Sequence, residues 1–206
     1  MKNLYQLTTF IMGTPDSRRV PADEGIEVAF AGRSNAGKSS ALNVLTEQKS
    51  LARISKAPGR TREINFFHVR DGIRLVDLPG YGYAKVSKSI KDQWQHNISR
   101  YLETRQSLCG VILLMDVRHA LKDVDRQVLG WCHSAGLLTH VLLTKSDKLK
   151  RGPAKAALLQ TRKALQQLHP EATVQLFSSH TREGCEELQQ VLDHWLGTPQ
   201  GYEDNL

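Results

Sequence analysis

Short apolar runs alternate with amphipathic stretches from residue 26 to residue 196. Runs at 26–31, 64–69, 73–78, 111–115, 138–143 and 174–177 have strand length and predict six strands. Val111-Ile112-Leu113-Leu114-Met115 is apolar throughout, as a central strand buried on both faces must be. Helical spacing of apolar positions predicts helices over 38–48, 87–106, 123–135, 153–168 and 183–196. The first presents Ala41, Leu42 and Leu45 on one face, and Ser87 or Ser89 caps the second. Gly136 ends the third, and Pro170 stops the fourth. Asp71-Gly72 reads as a hairpin turn, so the strands around it pair antiparallel. The alternation predicts an α/β fold. Its doubly wound sheet has six mostly parallel strands, one of them antiparallel, with about five helices on both faces. Residues 1–24 are polar, carry Pro15 and Pro21, and read as an extended lead-in. Residues 25–197 form the domain, and 198–206 a loose tail.

Composition narrows this picture only a little. The chain has 206 residues, enough for one α/β domain. No apolar run approaches a membrane span, so no membrane association is expected. Leu4-Tyr5-Gln6-Leu7-Thr8-Thr9-Phe10 is too interrupted for a signal peptide. Cys109, Cys132 and Cys185 share no metal spacing and read as free thiols of a cytoplasmic protein. The net charge of +7 is compatible with an anionic partner, RNA above all.

The strongest chemistry follows the first strand. Gly32-Arg33-Ser34-Asn35-Ala36-Gly37-Lys38-Ser39 is a phosphate-binding loop, G-x-x-x-x-G-K-[ST], with Ser40 continuing into the helix. Its N–H groups cradle phosphate oxygens at a helix N-terminus. Lys38 reaches the β- and γ-phosphates, and the Ser39 hydroxyl ligates Mg²⁺. This loop alone does not separate GTPases from ATPases or small-molecule kinases. Asp77-Leu78-Pro79-Gly80 ends a strand beside it. There a carboxylate can hold Mg²⁺, and the Gly80 N–H can meet the γ-phosphate. Thr144-Lys145-Ser146-Asp147 ends the strand at 138–143. The Asp147 carboxylate can accept from guanine N1–H and the 2-amino group, a donor pair adenine lacks. The Lys145 stem can lie over the base. Phe177-Ser178-Ser179 can offer backbone N–H groups to guanine O6, and Thr61, after Gly59 and Arg60, can add a hydroxyl to Mg²⁺.

These residues resemble the translation-factor-related GTPases, and within them the EngB (YihA/YsxC) family of bacterial GTPases. The resemblance spans about residues 24–196. It rests on residues 31–40, Pro58-Gly59-Arg60-Thr61, Asp77-Leu78-Pro79-Gly80-Tyr81-Gly82-Tyr83-Ala84 and Asp116-Val117-Arg118-His119. It implies a Ras-like P-loop GTPase fold, GTP and GDP as ligands, Mg²⁺, a role in assembling the large ribosomal subunit, and a link to cell division and septation. Thr144 stands where most GTPases have Asn, and Ser179 where they have Ala. In related GTPases an Asn at position 35 of this chain helps hold K⁺; a purely local hydrogen-bonding role is the alternative.

Ras-type enzymes orient the attacking water with a Gln after D-x-x-G. Here that position is Tyr81, which predicts slow intrinsic hydrolysis raised by a partner. Lys38, Thr61 and Gly80 are the candidate catalytic groups. Lys49, Arg53, Lys56, Arg60 and Arg62, with Lys85, Lys88 and Lys91, are candidate contacts to ribosomal RNA. Trp94 and Trp131 read as packing, and His119 and His180 as local polar contacts. The chain is expected to act as a monomer. An ATP-dependent P-loop enzyme and an RNA-binding module with a vestigial nucleotide site remain the alternatives.

Overall fold

The computed structural model describes residues 3–53, 63–82 and 88–197, with backbone alone for 88–94. Pro58, Gly59, Arg60 and Thr61 lie outside the described residues, as do Lys56, Arg62, Tyr83, Ala84, Lys85, Ser87 and the tail from 198. So do the side chains of Lys88, Ser89, Lys91 and Trp94.

Seven strands form one sheet: β1 (Thr9–Thr14), β2 (Ile26–Gly32), β3 (Ile64–Arg70), β4 (Ile73–Asp77), β5 (Leu108–Asp116), β6 (Leu138–Thr144) and β7 (Thr173–Leu176). Their order is β1-β3-β4-β2-β5-β6-β7. β3 pairs antiparallel with both β1 and β4, and every other pairing is parallel. Five helices complete the fold: α1 (Lys38–Leu45), α2 (Lys88–Thr104), α3 (Asp123–Ser134), α4 (Arg151–Leu168) and α5 (Cys185–Trp195).

The expected six strands are corrected to seven, because part of the lead-in is structured. Leu4–Leu7 form a 3₁₀ turn, and β1 adds an edge to the sheet. Phe10 and Ile11 of that edge strand stay exposed, so no buried face marks it in the sequence. The Tyr5 ring is buried, and its hydroxyl donates to Asp193 Oδ1 at 2.8 Å.

β2 shows how the two layers form. Successive side chains of a strand point to opposite faces. Ala29 and Ala31 join the core under α2, α3 and α4, while Val28 and Phe30 join the core under α1 and α5. Trp131 packs at the margin of the first core, as expected. The strand order reverses around β2, which puts the ligand crevice of a doubly wound sheet at its carboxyl end.

His140 on β6 gives the sheet a pH dependence. It is buried, with Nδ1 2.6 Å from Thr173 Oγ1 and Nε2 2.8 Å from Gln175 Oε1. Burial lowers its pKa to about 4, against the opposing Gln175 hydrogen bond. Between about pH 6.5 and 4 the unfolded chain binds a proton here that the folded chain refuses, so stability falls as pH falls. The expected loss reaches about 3 kcal/mol at pH 4. In urea unfolding from pH 7 to 4.5, His140→Asn should flatten this decline; an unchanged slope would refute it.

Candidate functional site

The phosphate loop leaves β2 and enters α1. Gly37 caps the helix at φ 99°, a left-handed conformation that glycine adopts without strain. Asn35 also sits left-handed, at φ 61°, and is exposed at the loop tip. The α1 N-terminus has no side-chain cap and no acidic residue in its first turn. Its backbone donors and dipole are thus left for an anion.

The loop after β4 is stitched to this one. β4 lies beside β2, and Leu78 N donates to Phe30 O at 3.0 Å. Ser34 N donates to Tyr81 O at 2.8 Å, and Tyr81 N to Gly32 O at 3.3 Å. A methyl group at Gly80 would stand 3.2 Å from Ser34 Cα and 3.3 Å from Lys38 Nζ, so only glycine fits comfortably. Asp77 is 4% exposed, and its Oδ1 has no hydrogen-bond partner among the described residues. Burial raises its pKa, and the Lys38 ammonium opposes that shift. A buried, unsatisfied carboxylate oxygen next to a phosphate loop fits a Mg²⁺ site, because a hard cation takes oxygen ligands.

Tyr81 does not face the loop's ligand side as a water-orienting group would. It is 2% exposed, and its hydroxyl donates to Asp125 Oδ1 at 2.9 Å. Asp125 is itself buried, and its other oxygen accepts from Lys122 N at 3.0 Å, capping α3. Burial raises the Asp125 pKa, against the Tyr81 and Lys122 hydrogen bonds.

The segment after β6 is tied to the phosphate loop from the other side. Thr144 Oγ1 donates to Ala36 O at 2.7 Å, and Lys145 Nζ to Asn35 O at 2.8 Å. Thr144 therefore does structural work at the position where most GTPases carry Asn. Lys145 holds φ 59° and pairs with Asp116 Oδ2 at 3.1 Å. Arg118 braces the same carboxylate from Nε at 2.9 Å and Nη2 at 2.7 Å. Burial would lift the Asp116 pKa, but the Arg118 and Lys145 contacts outweigh it and hold it well below the usual range.

Asp147 Oδ1 accepts from Ser178 Oγ at 2.7 Å, and Oδ2 pairs with Lys148 at 3.0 Å. These two contacts, Ser178 first, lower its pKa and keep it an acceptor. The Ser178 hydroxyl also accepts from His180 N and Thr181 N, each at 3.2 Å. Ser178 N is already spent on Glu183 O at 3.0 Å, so it is not the donor for a base. That part of the expectation narrows to Ser179. Ser146 N donates to Phe177 O at 3.2 Å, and Ser146 Oγ to Glu183 Oε2 at 2.5 Å.

The structure thus brings residues 32–40, 77–80, 144–147 and 177–179 to one end of the sheet. Glu183, Asp116 and Asp125 brace them, and sequence reasoning did not assign them those roles. Asp116 carried a signal, through the Asp116-Val117-Arg118-His119 segment, while Glu183 and Asp125 act through partners distant in sequence. His119 is exposed, and His180 is a turn residue. Cys109, Cys132 and Cys185 are free thiols. No described helix is long and apolar enough to cross a membrane.

Comparison with known proteins agrees with this geometry. Residues 27–145 match the family described as 50S ribosome-binding GTPase. The chain is 55% identical over 205 residues to the probable GTP-binding protein EngB of Escherichia coli K12, covering 99% of this chain and 98% of that one. The EngB protein of Shigella boydii serotype 18 matches at the same identity and coverage. A crystal structure of a probable GTP-binding protein EngB superposes with TM-score 0.67 at 20% identity, over 84% of this chain and 100% of that one. Era, crystallised with MgGDPNP and nucleotides 1506–1542 of 16S ribosomal RNA, superposes with TM-score 0.63 at 22% identity, over 89% and 61%. These two structural matches speak for the fold. Matched by that family over residues 27–145 and 55% identical to EngB over nearly its whole length, the chain belongs to the EngB family of P-loop GTPases.

Proposed function

We propose that this chain is a GTP-dependent switch in assembly of the large ribosomal subunit, with slow intrinsic hydrolysis. One observation carries the nucleotide part: Thr144 and Lys145 hydrogen-bond to phosphate-loop carbonyls at 2.7 and 2.8 Å. That fixes the distance between the phosphate-binding and base-reading segments. The loop N–H groups and Lys38 hold the phosphates, Asp147 reads guanine, and the Ser179 N–H takes O6. Ser39, Asp77 and Thr61 would hold Mg²⁺, which would supply positive charge against the nucleotide phosphates. Gly80 offers its N–H to the γ-phosphate.

Slow hydrolysis follows from Tyr81. Its hydroxyl is engaged by Asp125 at 2.9 Å, so it cannot orient water as a Ras-type Gln does. Fast turnover by the purified protein would contradict this. Asn35 is the residue through which K⁺ would act, standing in for an arginine finger; equal rates in K⁺ and Na⁺ would remove it from the mechanism.

The ribosomal part is supported by the family description, 50S ribosome-binding GTPase. Exposed Arg53 belongs to a basic segment that, with Lys49 and the cations after Gly82, would meet ribosomal RNA in the GTP-bound state. The cell-division and septation role, monomeric action and a cytoplasmic location are part of the same reading. Sedimentation with ribosomal subunits is the test. A non-hydrolysable GTP analogue should carry the protein into the large-subunit peak, and GDP should release it. Binding indifferent to nucleotide would overturn the switch.

A further inference from the structure

α4, the longest described helix, carries cations where α3 and α5 carry acids. From Lys148 to Pro170 the chain has six cations, Lys148, Lys150, Arg151, Lys155, Arg162 and Lys163, and no Asp or Glu. α4 begins with Lys150 at its N-cap, without a side-chain cap, and Arg151 as its first residue; its first turn has no acid. Cations at a helix N-terminus oppose the helix dipole. By contrast α3 opens on Asp123 and Asp125, and α5 on Glu186 and Glu187.

The face these cations occupy is open. Arg151, Lys155, Arg162 and Lys163 are all exposed. At 100° per residue, Arg151, Lys155 and Arg162 fall within about 40° of one another and span about 16 Å along the axis. No ion pair among the described residues involves any of the four. A merely solvated helix would ordinarily carry acidic partners at i±4. The core-facing side, centred about 90° round the helix from these three, is used up: Ala154, Thr161 and Leu165 are buried, and Ala157, Leu158 and Leu168 pack on the core. Exposed Leu159 is the large apolar residue on the outer side, too little for a helix that lies in a membrane interface. Gln160, Gln166 and Gln167 are exposed too and offer hydrogen bonds rather than apolar area.

We infer that the exposed side of α4 is a second RNA-docking surface, which binds phosphate backbone through a flanking row of Arg151, Lys155 and Arg162, with Lys163 beside it, independently of the bound nucleotide. An unpaired row of cations suits a regular polyanion, and phosphate contacts supply affinity without sequence specificity. The inference rests on the ribosomal-RNA reading above and adds a fixed anchor to it. α4 starts beside the base-reading loop but runs down the β6–β7 side of the sheet, away from the loops that answer to the γ-phosphate.

The test measures binding to protein-free large-subunit ribosomal RNA between 50 and 200 mM salt. It compares the full chain with a triple variant, Arg151→Gln, Lys155→Gln, Arg162→Gln. A charge-matched control, Arg100→Gln, Lys122→Gln, Arg126→Gln, sits on α2, at the α3 N-cap and on α3. Binding of a fluorescent GDP analogue reports that each protein is folded. The α4 variant should bind RNA about tenfold or more weakly, and its log–log salt slope should fall by about 2 to 3. Its preference for the GTP analogue on intact subunits should persist, and the control should match the wild type. Equal weakening in both variants would reduce the effect to net charge and overturn the inference. So would an unaltered α4 variant, or wild-type protein that prefers anionic vesicles to RNA. Should the wild type bind neither RNA nor subunit, the ribosomal reading falls first and this inference with it.

Discussion

Replacing Asp147 by Asn lowers GTP and GDP affinity by about 10²- to 10⁴-fold. It also shifts the preference towards the xanthine nucleotide. The carboxylate has about four lone-pair sites. Ser178 Oγ uses one at 2.7 Å, and Lys148 draws on another at 3.0 Å. The remainder can accept the N1–H and 2-amino hydrogens of guanine. Each hydrogen bond to a charged acceptor is worth about 1.5–3 kcal/mol, so two account for the range. Asn turns one acceptor into an NH₂ donor, which faces the guanine amino group as a clash of like groups. Xanthine carries a carbonyl at that ring position and accepts from the new amide. Competition against a labelled nucleotide by GDP, XDP and ADP reads all three at once. Unchanged GDP affinity would remove Asp147 from base recognition, and ADP competing as well as GDP in the wild type would revive the ATP-dependent alternative.

What could be read from sequence, and what could not, divides by range of interaction. The phosphate loop is contiguous, and its strand-before, helix-after setting is visible in the hydrophobic rhythm. Asp77 and Asp147 announce themselves because each ends an apolar run. The antiparallel turn of β3 follows from Asp71-Gly72. β1 escaped because its first three residues, Thr9 to Ile11, are all exposed and a bulge between Phe10 and Met12 breaks the period of two. Its place depends on pairing with β3, fifty residues or more further on. Tyr81 was legible as a missing Gln, but its contact with Asp125, 44 residues away, was not. Glu183 was equally hidden. It lies beyond the Ser178-Ser179 turn, yet receives the Ser146 hydroxyl on its side chain and the Ser178 N–H on its carbonyl. Such braces need no local motif, since any acceptor delivered to that point by the fold would serve.

The same blindness covers the residue whose loss should cost the most stability. Glu27 is the second residue of β2, between Ile26 and Val28, and is fully buried. Arg105 reaches it with Nη2 at 2.6 Å and Nε at 2.9 Å, Arg74 with Nε at 2.8 Å, and the Tyr101 hydroxyl at 2.8 Å. The two arginines also clasp the segment between β1 and β2, through Pro21 O, Ala22 O and Glu24 O. Burial alone would raise the Glu27 pKa, but the Arg105 and Tyr101 hydrogen bonds and both arginine charges reverse that. A depressed carboxyl pKa contributes stability above its unfolded value, and that stability fades as pH falls through the folded one. Glu27→Gln leaves Arg74 without its counter-charge and Arg105 with Asp23 alone, at 3.4 Å, so it should cost about 3–5 kcal/mol. For a chain of this size that is a fall in Tm on the order of 10 °C. Denaturant unfolding at pH 7 measures it, and a loss under about 1 kcal/mol would refute the account. Glu27→Met with Arg105→Met should recover part of the loss, because it removes charge and counter-charge together. GDP affinity of the folded protein should hold in both variants, since Glu27 sits at the end of β2 opposite the phosphate loop. A Glu27 variant that lost stability and GDP affinity in step would instead show that the charge cluster supports the nucleotide site through the strand.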